Sequence, residues 1–470
     1  MALRFTLNGE PVEAEGDDPH TTLLQWLRDR GLTGTKEGCA EGECGACAVA
    51  LVRRDPQGRT RYDAINSCLM LLGATAGHEV WTVEGVGRPG ALHPVQRAMV
   101  EQGGSQCGYC TPGFVVSMFA EYYRPDREGF DPESIGGNLC RCTGYRPIRD
   151  AVRAMGEPRD DDAFRRRLRE PPPSLEDLRA QGGPASRRLY RPTGLAELFD
   201  VLGREPDACL VAGGTDVVVD MNQRHDRHDV LVSVDAVQEL SRFAWHDDAL
   251  EIGAAVPLRE VEERVEGALP MMEQLLPLFS SRLIRNRATL GGNLATASPI
   301  GDSPPVLLAL GAEVLVAGPG GERTIAVDEL FTGYRQTALS PGEVIVSVRI
   351  PRPFPRLQRF YKVSKRVLDD ISTVAAAFAV DVDEQGKVTR ARLALGGVAP
   401  TPIRATGAED ALVGRPWTLE TARAAASVLA SDISPISDHR GSDAYRRAVV
   451  PKLLDKLWHE TEDERDGSAA

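Results

Sequence analysis

Aromatic residues make up only 6% of this chain, histidines number eight in 470 residues, and acidic residues outnumber basic ones. Each shortage excludes a class of function. With 55 Lys and Arg against 68 Asp and Glu, the formal charge is −13 and the pI about 5.3, which leaves no basic footprint for nucleic acid. No apolar run approaches the roughly 20 residues needed to span a bilayer. The opening Met1-Ala-Leu-Arg-Phe-Thr-Leu-Asn-Gly lacks the apolar core of a signal peptide, so no membrane association and a cytoplasmic location are expected. The histidines form no H-E-x-x-H or paired set, so nothing points to a histidine metal site. Hydrophobic residues at 42% and charged residues at 26% describe a folded globular chain, long enough for about three domains.

Cysteine is almost absent after residue 142, where only Cys209 remains of the nine. The other eight form two tetrads, which in a cytosolic chain favours metal over disulfide. The first is Cys39-Ala-Glu-Gly-Glu-Cys44-Gly-Ala-Cys47 followed by Cys68, the C-x4-C-x2-C…C spacing of a plant-type two-iron cluster. Three thiolates must converge on one tight loop, and Gly38, Gly42 and Gly45 let it bend. A four-thiolate zinc site is the alternative, although zinc knuckles normally pair C-x2-C with C-x2-C. The second tetrad is Cys107-Gly-Tyr-Cys110 with Cys140-Arg-Cys142. Its C-x2-C pair precedes a helix start, where the helix dipole favours anionic sulfur. Taken alone it suits zinc nearly as well; beside the first tetrad, a second two-iron cluster is preferred.

Taken in order, the chain opens with a hairpin around Asn8-Gly9, then a helix from Thr21 or Thr22 to Gly31. The cluster loop follows, then strands from Ala46 to Val52 and on toward Cys68, joined by an Asp55-Pro-Gln-Gly58 turn. This pattern resembles a ferredoxin β-grasp. Helices are expected over 93–102 and 112–123. Residues 157–188, rich in charge and proline, read as a linker, partly helical at best. Cys209-Leu-Val-Ala-Gly213-Gly214-Thr215-Asp216 reads as a strand leading into a glycine turn whose backbone N–H groups can cradle a pyrophosphate. The following Val217-Val-Val reads as strand, so no Rossmann-type helix is expected. A second glycine stretch, Thr289-Leu-Gly-Gly292-Asn293-Leu-Ala-Thr296-Ala-Ser298-Pro-Ile-Gly-Asp302, adds side chains suited to a long ligand with phosphates and hydroxyls. Two ordinary tight turns are the alternative. Beyond Arg352, strand, turn and strand over 360–380 lead into an α+β module with two helices up to Leu457, and the polar tail from Glu460 reads as disordered.

Together, Glu37-Gly-Cys-Ala-Glu-Gly-Glu-Cys-Gly-Ala-Cys, Gln106-Cys-Gly-Tyr-Cys-Thr-Pro-Gly, Asn138-Leu-Cys-Arg-Cys-Thr-Gly-Tyr and the two glycine stretches resemble the molybdenum hydroxylase family, in its bacterial xanthine dehydrogenase branch. The resemblance covers nearly the whole chain. It implies an α+β multidomain protein: a ferredoxin-like β-grasp domain (1–86), a helical two-iron domain (87–158), a linker (159–186), a vanillyl-alcohol-oxidase-type FAD domain (187–352), a small α+β C-terminal module (353–460) and a disordered tail (461–470). It also implies a relay from a molybdopterin in a partner chain through the cluster on Cys107, Cys110, Cys140 and Cys142. From there the cluster on Cys39, Cys44, Cys47 and Cys68 leads to FAD and then NAD.

Gln106 aligns with the family's pterin-adjacent residue. FAD contacts are implied at Leu210, Val211, Ala212, Gly213, Gly214, Thr215 and Asp216, and at Thr289, Gly292, Asn293, Thr296, Ser298, Asp302 and Ile345. Phe279, Lys362 and Asp369 align with residues beside the flavin, and Tyr334 with the nicotinamide side. No residue is assigned a catalytic role outright, Phe279 and Lys362 being the nearest candidates. The chain is too short to carry molybdenum domains as well. A large molybdenum subunit is therefore the expected partner, in a heterotetramer of two small and two large subunits. The substrate, a purine, an aldehyde or another N-heterocycle, would be set by that partner. A zinc-stabilised scaffold without catalysis is the reading from another class.

Overall fold

The computed structural model describes residues 2–466. The chain divides into two units. The first comprises Met1–Glu239 with Pro257–Glu260 and Ser280–Thr289, the second Leu240–Val256, Val261–Phe279 and Leu290–Ala470.

The first unit opens with the hairpin β1 (Leu3–Leu7) and β2 (Glu10–Ala14). Asn8 and Gly9 both take positive φ, 53° and 86°, the turn whose twist matches that of the strands. The helix Leu23–Asp29 is capped by the Thr22 hydroxyl, which accepts from the Gln25 N–H, and it buries Leu23, Leu24, Trp26 and Leu27. Strands β3 (Ala48–Arg54), β4 (Thr60–Asn66) and β5 (Glu79–Trp81) complete a sheet of order β2-β1-β5-β3-β4. Among the described pairs of this sheet, β1 and β5 run parallel and the others antiparallel. The helices Pro94–Glu101, Thr111–Tyr122 and Arg146–Arg153 follow. Their apolar faces, including Val95, Phe114, Phe119, Ile148 and Val152, share one core with Ala50, Val52 and Tyr62 of the sheet.

The linker, expected to be partly helical at best, holds one short helix and also a strand that was not expected. Asp162 caps a helix, Ala163–Arg167, and Arg167 pairs with Glu79 at 2.8 Å. Leu178–Gly182 is a strand, β6, because its alternating Leu178 and Ala180 are buried against a neighbour. It joins β7 (Arg187–Arg191), β9 (Val230–Ser233) and β8 (Cys209–Val211) in that order. The Val217-Val-Val run is a second correction: Val217–Gln223 is a helix. Val218 and Met221, three apart, are its buried residues, so tertiary packing overrides the β-propensity of valine.

In the second unit, strands 243–245, 249–253, 344–351, 313–318 and 321–326 form one antiparallel sheet. Leu357–Val363, Val374–Val382, Val388–Gly396 and Ile403–Arg404 form another. Three helices accompany this sheet rather than the two expected: Thr406–Leu412, Leu419–Asp432 and Asp443–Asp466. Their Leu412, Leu429 and Leu454 share a core with Phe378 and Leu395. The tail is also corrected, since helix continues through residue 466. Leu457 and Thr461 are fully buried, and a helix anchored there extends at little cost per added residue. Residues 467–470 of the expected tail lie outside the described residues.

Candidate redox site

The first tetrad sits on the loop between the Leu23–Asp29 helix and β3, with Cys68 just past β4. Its sulfurs form two pairs. Cys47 and Cys68 lie 3.3 Å apart, both buried, and Cys39 bonds to Cys44. Gly42 and Gly45 take positive φ, 88° and 64°, as a loop folding three thiols inward requires. Each pair shares its protons unequally. Cys39 is lowered by the hydrogen bond from the Cys44 thiol, which is itself raised by that contact. Cys47 and Cys68 repeat the pattern, lowered and raised by their mutual bond. Crowded sulfurs of this kind are relieved by cations that take the thiolate form. Two pairs, one for each of two metal ions, fit a two-iron cluster better than a single tetrahedral zinc ion.

The second tetrad has the same plan in a different setting. Cys110 is the residue before the Thr111–Tyr122 helix and pairs with Cys140, while Cys107 pairs with Cys142. Burial pushes the Cys110 thiol up to about 12. Burial also pushes Cys140 up, but the Thr143 hydroxyl, 3.2 Å from its sulfur, brings it below the usual thiol range. Cys107 and Cys142 are exposed, as is Gln106 beside them.

The two cluster loops are joined directly. The Leu139 N–H donates to the Cys44 carbonyl at 3.0 Å and the Asn138 amide to the Gly45 carbonyl at 3.0 Å. A side chain at Gly45 would lie 2.3 Å from the Gly137 carbonyl, and one at Gly113 2.2 Å from the Gly45 carbonyl. Glycine is thus required at both positions for the approach.

Beside the first tetrad, in the same unit, β8 carries Leu210 and Val211 into Ala212 and the Gly213-Gly214-Thr215-Asp216 turn. Gly214 has φ +77°, and a Cβ there would meet the Leu69 carbonyl at 2.9 Å. Gly213 is held by Arg287, whose Nε donates to its carbonyl at 2.9 Å. Burial pulls the Arg287 guanidinium down to about 10. Cys209 is partly buried, its thiol raised by burial, as expected of a packing residue.

In the second unit a chain of polar contacts links several expected flavin residues. Lys362 Nζ donates to the Asp302 carboxylate at 2.8 Å and to the Leu278 carbonyl, next to Phe279, at 2.7 Å. The other Asp302 oxygen accepts from the Ser372 hydroxyl at 2.5 Å, and the Ser303 hydroxyl donates to Asn293. Gly292 and Asn293 lie in the short helix Leu290–Ala295, and the Thr296 hydroxyl donates to the Gly292 carbonyl at 3.0 Å. Gly291 packs closely on Ala254. Its N–H donates to the Ala254 carbonyl, and a Cβ would sit 2.5 Å from that of Ala254, so this glycine serves close packing. Ser298 folds back on the Ile300 N–H, Ile345 is buried in its strand, and Asp369 is buried at φ +51°. Thr289 falls in the first unit, and Tyr334 is exposed.

Comparison with known proteins gives this arrangement its context. Residues 5–72 match the family described as the 2Fe-2S iron-sulfur cluster binding domain, and residues 82–153 the 2Fe-2S binding domain. Residues 184–353 match the FAD binding domain in molybdopterin dehydrogenase, and residues 359–461 the CO dehydrogenase flavoprotein C-terminal domain. A xanthine dehydrogenase of Emericella nidulans is 34% identical over 97% of this chain and 38% of its own length. Xanthine dehydrogenase 1 of Arabidopsis thaliana is 34% identical over 93% of this chain and 38% of its own. Among solved structures, quinoline 2-oxidoreductase from Pseudomonas putida 86 is 30% identical with a TM-score of 0.54, covering 57% of this chain and 94% of that one. The chain belongs to the molybdenum hydroxylase family. It has that family's two 2Fe-2S domains and FAD-binding domain, and it spans about two fifths of the length of the curated relatives it matches.

Both tetrads fall in the iron–sulfur domains of the molybdenum hydroxylases, and both glycine stretches fall within the span matched to their FAD domain. Sequence reasoning missed the residues that hold these parts in place. Asn138 stands inside a quoted motif, yet its amide contact with Gly45 shows only in the fold. Arg282 and Arg285, both buried, pair with Glu133, and Arg282 also with Asp131. Asn222 and Gln223 donate to carbonyls of the first cluster loop. Only the arginines left a sequence signal, as two of the three positive charges in Arg282-Leu-Ile-Arg285-Asn-Arg287.

Proposed function

We propose that this chain is the electron-transfer subunit of an NAD-dependent xanthine dehydrogenase, active with a molybdopterin-bearing partner chain. Electrons from hydroxylation of hypoxanthine or xanthine would leave through the two tetrads and the flavin. The observation that carries the proposal is the direct bonding of the two cluster loops, with the dinucleotide turn against the segment after Cys68. When bound, the clusters carry single electrons and the flavin exchanges them for the hydride that NAD accepts.

The residues of this chain divide the work. Cys107, Cys110, Cys140 and Cys142 would hold the cluster nearer the partner, since two of these thiols are exposed beside Gln106. Cys39, Cys44, Cys47 and Cys68 would hold the shielded one. The backbone from Leu210 to Asp216, with Thr289 in the same unit, would bind the dinucleotide. Lys362, fixed by Asp302 and by the carbonyl before Phe279, would place a cation beside the flavin ring and favour its reduced, more negative form. Asp369 would bound the approach of NAD. A heterotetramer of two small and two large subunits in the cytoplasm completes the reading. Among the described residues no helix is long and apolar enough to cross a membrane.

The likeness to quinoline 2-oxidoreductase favours a second reading, the same relay serving another N-heterocycle. The names of the curated relatives favour xanthine.

Metal analysis with flavin extraction is the test. About four irons and one FAD per chain are expected, and zinc without flavin would overturn the proposal. Cys142→Ser should stop electron delivery from the partner while leaving NADH oxidation by the flavin intact. An equal fall in NADH oxidation would overturn the order of centres.

A further inference from the structure

We propose that the Val217–Gln223 helix is a strut that fixes the first tetrad to the dinucleotide turn, with Asn222 and Gln223 as its positioning residues. The inference rests on the flavin reading of the Gly213–Asp216 turn. At one end the helix grows out of that turn, where Gly214 lies so close to the Leu69 carbonyl that a Cβ would be 2.9 Å from it. Leu69 is the residue after the ligand Cys68. At the other end the Asn222 amide donates to the carbonyls of Ala40 and Cys68, each at 2.9 Å, and the Gln223 amide donates to the Cys39 carbonyl at 2.8 Å.

These bonds reach both halves of the tetrad, for Cys39 belongs to one sulfur pair and Cys68 to the other. Ala40 sits at φ +57°, a conformation that strains a residue with a Cβ and persists where the surroundings fix it. The Asn222 amide on its carbonyl is such a fixture. The turn and the far end of this seven-residue helix thus bear on consecutive residues, Leu69 and Cys68, of one ligand segment. With both ends held, the ligand segments cannot drift from the turn, and electron passage depends on that separation.

The test uses the full chain loaded with iron and FAD. Asn222→Asp keeps the shape, removes the shared donor and sets a carboxylate against two carbonyls. Gln223→Met keeps the length at an exposed position and removes one bond. The EPR line shape and midpoint potential of the first cluster should shift in both variants while the second cluster's signal stays put. After mixing with dithionite, one electron leaves the cluster for each one the flavin gains. That exchange should slow on the order of tenfold or more in Asn222→Asp, as expected when an aligned pair of groups is displaced, and by less in Gln223→Met. If Asn222→Asp loses its iron, Gln223→Met decides. Unchanged signals and rates at normal iron and FAD content would overturn the strut alone. An unmodified chain that binds iron but no FAD would overturn the flavin reading and the strut with it.

Discussion

The two tetrads share a ligand set and a pairing scheme but not an environment. In the first, Cys47 and Cys68 are 1% and 2% exposed, and amide donors from a distant helix hold the ligand segments. In the second, Cys107 and Cys142 face solvent; Thr143 and the Tyr145 hydroxyl contact Cys140 locally, and the same segment bonds to the first cluster loop through Asn138 and Leu139. Hydrogen bonds and burial, more than ligand type, tune a cluster of given ligands. One sequence therefore builds one shielded site and one site open to solvent. The second tetrad's domain is tied down elsewhere, where Glu133 receives the buried Arg285 and Arg282.

Breaking the contact between the loops should have the largest effect. Gly45→Ala forces a Cβ to within 2.3 Å of the Gly137 carbonyl at φ +64°. The backbone conformation alone costs about 1–2 kcal/mol, and the collision adds to it. Iron analysis should show both clusters depleted; a normal iron content would mean the loops can separate without consequence.

Glu133→Ala removes a carboxylate that pairs with the buried Arg285 and Arg282 and should cost about 1.5–3 kcal/mol, read by denaturant unfolding followed through the helical signal. Replacing Glu133 and Arg285 together with apolar residues should recover much of that loss. If the single variant unfolds like the unmodified protein, the ion cluster does not anchor the second domain.

Acid should weaken the second tetrad's domain through His93, which accepts from the Val95 N–H at the head of the Pro94–Glu101 helix and bonds the Tyr123 hydroxyl at 2.8 Å. Burial lowers it to about 4. The unfolded chain, with a histidine near 6.5, then binds the extra proton. This contribution is complete above about pH 6.5 and is lost as pH falls toward 4, at most about 3 kcal/mol. Unfolding midpoints between pH 7 and 4.5 should fall less steeply in His93→Gln, and parallel slopes would remove His93 from the account. The smallest effect is expected in the first domain. Thr22→Ala deletes a helix cap and should cost about 1 kcal/mol, lowering the melting temperature while leaving both EPR signals unchanged.

Several features were legible because local rules govern them. Asn8-Gly9 allows few turns other than the one observed, and Thr22 caps as its position before an apolar periodic run requires. Other features were decided by neighbours far along the chain. Val217-Val-Val carries strand propensity but buries Val218 and Met221 on a helical face. Gly291 stands in a glycine stretch, and its amide goes to Ala254. Asn222 and Gln223 are ordinary polar residues until folding sets them beside Cys39 and Cys68.

The sequence by itself determined the two cysteine tetrads and the iron–sulfur domains that hold them. Thiolate spacing on a short loop is fixed by bond lengths and by where glycine lets the chain turn, and so the two tetrads and their family could be read from order alone. Only the tertiary structure decided which tetrad is shielded, how the two loops touch, and which amides of the Val217–Gln223 helix reach the first. Burial and hydrogen-bond partners arise from segments tens to hundreds of residues apart, and nothing in the local sequence specifies them.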